Sequence, residues 1–181
     1  MLKKLLAKSL KTAVDFKFIK QVVGKAAKIA MIDYESFTET TTLEKLFRGR
    51  DGVAILFHIK DANTGKITPI GHWCLLLKAT KKNKNRIQFF DSLGLGLRKI
   101  LALTNESHFL LDMLKNSKWT DSKVKLQTQG KNFRECGSFV AVRAVFKDLT
   151  NQQFARLMGR GADNTVVMMT LLHYVDYYDI L

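Results

Sequence analysis

Residues 53–59, Val53-Ala54-Ile55-Leu56-Phe57-His58-Ile59, are apolar at odd and even positions alike. β-branched and aromatic residues favour extended backbone, and a strand apolar on both faces belongs in the middle of a sheet. This one run therefore commits the chain to a buried sheet. Two further extended runs follow, Gly71 to Ala79 and Arg86 to Asp91, joined by the basic turn Lys82-Asn83-Lys84-Asn85. Asn63-Thr64-Gly65 marks a hairpin before them, and residues 124–127 read as one more short strand.

Helical patterning surrounds these strands. Residues 2–14 place Leu2, Leu5, Leu6, Leu10 and Val14 near helical spacing with lysines between them, and the pattern continues to about Ala30. Residues 34–42 read as a polar loop, residues 42–47 as a helical turn, and residues 97–114 as one helix. Further helices are expected over residues 136–149, 151–157 and 163–178. The fold class that results is α+β: a small, mostly antiparallel sheet of three or four strands flanked by helices.

With 181 residues, one proline and no Gly/Ser linker, the chain reads as a single domain. It divides into a basic helical N-terminal segment (1–35), a central region (43–149) and C-terminal helices (150–181). An apolar fraction of 46% excludes a disordered chain. No apolar run is long enough to span a bilayer, so no transmembrane segment is expected. Two cysteines are too few for a disulfide scaffold. The net charge of +14 favours polyanionic partners, nucleic acid first. Eight lysines against one acid fall within residues 1–30. That segment suits a surface helix, a nucleic-acid arm or a membrane-surface helix equally well.

Four residues in order carry the chemistry: His72, Asp91, Gln129 and Cys136. Cys136 opens an apolar helix, and the positive end of a helix favours the reactive thiolate. Gly137 after it leaves room for a substrate backbone. His72, at the start of an apolar strand, is the candidate base for that thiol. Asp91, nineteen residues later at the end of the adjoining strand, is placed to orient the ring. Gln129, or Gln127 two residues earlier, is a candidate amide donor to an oxyanion, beside the Cys136 backbone N–H. Each residue also has an ordinary structural use: a buried cysteine, a packed histidine, a turn aspartate. Cys74, beside Trp73 in an apolar strand, reads as core. There is no CxxC, no HExxH and no second thiol near Cys136 in sequence, so no metal site is expected.

Together these motifs resemble the adenain-like and ubiquitin-like-protein-specific cysteine proteases. The residues that carry the likeness are Gly71-His72-Trp73, Phe90-Asp91-Ser92-Leu93-Gly94, and Gln129-Gly130-Lys131-Asn132 with Cys136-Gly137. The gap of seven from Gln129 to Cys136 is similar to that of the adenovirus maturation protease. Aspartate at position 91, the small size and the basic charge look most like the capsid-maturation proteases of virophages and Maverick/Polinton elements. The resemblance covers residues 43–149 and implies an adenain-like fold. It implies a Cys136–His72–Asp91 triad with Gln129 in the oxyanion hole, and Trp73 and Gly137 lining the substrate channel. It also implies capsid precursors as substrates, cut after small or Gly-containing sites, with the enzyme in the virion or the host cytoplasm and virus factory. No cofactor is required. Stimulation by double-stranded DNA fits the charge. Two alternatives stay open: a deSUMOylase- or deubiquitinase-like isopeptidase, and a non-enzymatic nucleic-acid-binding virion protein. The sequence does not set an oligomeric state.

Overall fold

The computed structural model describes residues 16–61, 63–78, 86–127, 136–159 and 162. In chain order it contains helix α1 (Phe16–Val23), strand β1 (Ile29–Asp33), a 3₁₀ turn (Tyr34–Ser36), helix α2 (Leu43–Phe47) and strands β2 (Gly52–Lys60), β3 (Ile67–Lys78) and β4 (Arg86–Phe90). Helices α3 (Leu97–Thr104) and α4 (Phe109–Leu114), strand β5 (Lys118–Thr120), and helices α5 (Cys136–Val145) and α6 (Asn151–Met158) follow.

The sheet has the order β1-β2-β3-β4-β5. Its centre is antiparallel, β2 with β3 and β3 with β4, while the outer pairs β1–β2 and β4–β5 are parallel. The α+β reading therefore stands, with five strands among the described residues instead of three or four. Alternation along the central strands divides the core in two. Val53, Ile55, Phe57, Cys74, Leu76 and Phe89 face one way, onto Tyr34, Phe47 and the apolar sides of α3 and α4. Ala54, Trp73, Leu75, Leu77 and Phe90 face the other way, onto α1, α5 and α6. This double cover is why residues 53–57 of β2 are apolar on both faces.

Three expected elements differ, each for a local reason. The N-terminal helix stops at Val23, not near Ala30, because Gly24 turns left-handed (φ +48°) and its N–H closes on the Lys20 carbonyl. The helix expected over 97–114 is two helices, split at Asn105 (φ 52°), whose N–H caps the Leu101 carbonyl. Residues 124–127 form no strand: Leu126 and Gln127 both donate their N–H to the single Ser92 carbonyl, at 2.9 Å each, which is a docking contact and not a ladder. The added edge strands are β1 and β5. The helix expected over 163–178 lies outside the described residues. Among the described residues, no helix is long and apolar enough to cross a membrane.

Candidate active site

The register of β3 and β4 builds one side of the site. Their pairing ends at Leu75↔Phe90. The next residue of β4's chain, Asp91, therefore comes level with Cys74, and β3 runs on past it through Trp73 and His72. Side chains alternate along a strand, so His72 and Cys74 share a face, and Asp91 shares that face with Phe89. The His72 ring meets the Asp91 carboxylate there: Nε2 to Oδ1 is 2.7 Å, and both groups are buried.

Asp91 is fixed on its other sides by backbone. The Leu93 N–H donates to Oδ1 at 2.9 Å, and the Leu95 and Gly96 N–H groups donate to Oδ2 at 2.6 and 3.3 Å. Gly94 makes the turn possible. Its φ is +66°, and a Cβ there would sit 2.7 Å from the Lys125 nitrogen. Ser122 Oγ donates to the Asp91 carbonyl at 3.0 Å, and Ser92 Oγ donates to Gln127 Oε1 at 2.7 Å. Burial pulls the Asp91 carboxyl upward, but the His72 ring and these amides more than offset it and hold the group below its ordinary value.

Helix α5 supplies the other side, from the opposite face of the sheet. Cys136 is its first residue and is buried against the Trp73 face. β4 has ended at this point, so the edge of β3 is open beside Trp73. The Trp73 N–H reaches out there to Cys136 Sγ at 3.4 Å. The same thiol hydrogen-bonds the His72 ring. The imidazole thus stands between a carboxylate and a thiol that come from different layers of the protein. Gly137 is buried in the first turn of α5. Trp73 is buried too, and the half-exposed ring of Phe16 packs edge-on against it, with centroids 5.0 Å apart.

The electrostatics follow from the neighbours. Burial acts most strongly on His72 and works against its charged form. It is outweighed by the groups around the ring, Cys74, Asp91 and Cys136, and the imidazole is held well above its ordinary value of 6.5. Burial pushes the Cys74 thiol up to about 12, so Cys74 is neutral in the neutral range. Asp91 is therefore the standing negative charge that keeps the proton on His72.

Of the residues singled out from sequence, the fold brings His72, Asp91, Cys136 and Trp73 together, with Gly137 adjoining. Gln129 lies outside the described residues. Gln127 is buried, and its amide oxygen is taken by Ser92, which leaves only its amide nitrogen as a donor. Two contacts escaped the sequence reading. Cys74 is core, fully buried, but it also touches the catalytic candidates: donor atoms of His72, Cys74 and Asp91 all lie within 4.8 Å of one another. The signal was present, since residues two apart on a strand share a face. The second contact is Phe16 on Trp73, for which no sequence signal exists. Comparison with protein-family models, with curated proteins and with solved structures gives no match.

Proposed function

We propose that this protein is a cysteine endopeptidase that processes the structural precursor proteins of a viral particle. The observation that carries the chemistry is the His72 ring bonded at once to the Asp91 carboxylate and the Cys136 thiol. The substrate class rests on the motif resemblance and the basic charge.

In this reading Cys136 Sγ attacks the scissile carbonyl carbon, and the carbonyl π pair moves onto oxygen. The backbone N–H of Cys136 and the amide of Gln129 or Gln127 receive that oxyanion. Collapse breaks the C–N bond, and His72 gives its proton to the leaving amine. A water then attacks the thioester, with His72 taking its proton, and the acid product leaves Cys136 free. Asp91 holds the ring in orientation and favours its charged form. Gly137 lets the substrate backbone come close, and the motif resemblance implies small side chains at the cut beside Trp73.

The test is incubation of the purified chain with a candidate capsid precursor, followed by mapping of new N-termini. Cys136→Ala and His72→Ala each abolish cleavage, and loss of the base alone costs roughly 10²–10⁴ in rate. Near-normal turnover in either variant overturns the proposal. Turnover of fluorogenic ubiquitin-like substrates, with the capsid precursor left intact, would move the substrate class to an isopeptidase.

A further inference from the structure

Cys74 has no part in the peptidase cycle, yet it stands against the base and its orienting carboxylate. Three donors of different kinds, an imidazole nitrogen, a sulfur and a carboxylate oxygen, point into one buried spot from β3 and from the turn that follows β4. We propose that His72, Cys74 and Asp91 form a binding site for a thiophilic divalent cation of the zinc class, and that occupancy switches the enzyme off.

The geometry is close to what such an ion needs. Bonds of about 2.0–2.3 Å in a tetrahedral arrangement put neighbouring donors roughly 3.3–3.8 Å apart. Here all three donors lie within 4.8 Å, and the tightest pair, His72 Nε2 to Asp91 Oδ1, is 2.7 Å. An ion entering between them opens that pair by about half an ångström and draws the sulfur in, which are side-chain adjustments. The donor set of nitrogen, sulfur and oxygen suits zinc and excludes magnesium and calcium, which take oxygen. The scaffold is rigid. His72 and Cys74 are two apart on a central strand, and Asp91 is tied down by three backbone amides. Cys136 meets the His72 ring from the far side, so a water kept on the ion completes the tetrahedron. On binding, the aquo ion gives up waters, and two protons pass to solvent, one from the Cys74 thiol and one from His72 Nε2.

The consequence for catalysis follows directly. An ion on Nε2 replaces the direct contact with Asp91 and leaves the neutral ring with its one proton on the nitrogen that faces Cys136, so the ring cannot accept the thiol's proton. The binding itself stands without the peptidase reading; only the inhibition rests on it. Strand parity puts His72 and Cys74 on one face, but the three ligands are not spaced as in any short metal motif.

The chain has only two cysteines, which makes the test direct. Full-length Cys136→Ala, whose sole thiol is Cys74, is titrated with cobalt(II) as a spectroscopic stand-in for zinc. One equivalent binds, with a sulfur-to-cobalt charge-transfer band in the near ultraviolet, and added zinc displaces it. In Cys74→Ala and Cys74→Val, checked for folding by circular dichroism, zinc affinity falls by at least about tenfold. The absence of the band in folded Cys136→Ala overturns the proposal. So does unchanged zinc affinity in either Cys74 variant. These readouts do not involve proteolysis, so a wild-type chain that binds the ion but cleaves nothing would sink the peptidase reading and leave the site.

Discussion

At the scale of residues, the two cysteines show how position decides reactivity. Cys74 is enclosed in core and held near 12, so it stays a protonated, unreactive thiol at neutral pH. Cys136 sits at a helix start, beside an imidazole and an open strand edge. Iodoacetamide at pH 7.5 should therefore label Cys136 and leave Cys74 unmodified in the folded protein; equal labelling of both, read by peptide mapping, counts against an activated Cys136. His72 and Asp91 make a second prediction. The charged pair is the preferred state because each partner shifts the other toward ionisation. The raised His72 value contributes stability that is full below about 6.5 and is lost as pH rises through the folded value. The lowered Asp91 value contributes stability present above about 3.9 and lost as pH falls through its folded value. The alkaline limb of kcat/KM should lie above 6.5 in the wild type and move down toward it in Asp91→Asn. A limb that stays put would mean that Asp91 does not set the His72 proton. Asp91 and Cys136 were legible in the sequence because each borders an element with a strong apolar pattern, and His72 because it precedes the apolar run Trp73-Cys74-Leu75-Leu76-Leu77, although β3 begins earlier, at Ile67. The Cys74 contact was legible only in part: strand parity implied its face, but the β3–β4 register that brings Asp91 level with it was not fixed by pattern.

Among the elements, α1 gives the clearest lesson. Its apolar stripe was evident, but its destination was not, since periodicity shows that a face is buried without naming what covers it. The fold puts Ile19, Val22 and Val23 in the same core as α5, the helix that carries Cys136. Phe16, one turn earlier, extends that stripe to Trp73 at the site. The N-terminal helix thus braces both the helix of the proposed nucleophile and the aromatic beside the proposed base. Ile19→Ala, at a fully buried position, should cost about 2–5 kcal/mol in a urea melt. It should also slow cleavage in molecules that remain folded. A variant of unchanged activity would show that α1 is only a cover. The sequence failed on elements where a single backbone state overrides pattern, as at Gly24 and Asn105, and where a short edge strand carries too few residues to show a period, as in β5.

For the molecule as a whole, charge is the dominant property. The described lysines of the N-terminal region, Lys17, Lys20, Lys25 and Lys28, are all exposed, and no acid lies between them. A polyanion is the partner we propose for such a surface. Double-stranded DNA should bind and raise the cleavage rate at low salt, with the affinity falling steeply between about 50 and 200 mM salt. Equal cleavage rates with and without DNA at low ionic strength would assign the charge another purpose. The layered cover of the sheet gives this surface a firm base, because α1, which carries Lys17 and Lys20, also closes the core on one face.

The saturation of the Asp91 carboxylate has a consequence for what position 91 can tolerate. Three amides and one ring leave its two oxygens no freedom to relocate. A glutamate carries the same charge on a longer arm. It would have to surrender either the loop or the imidazole, so in this protein the shorter acid is a matter of reach, and charge alone cannot replace it.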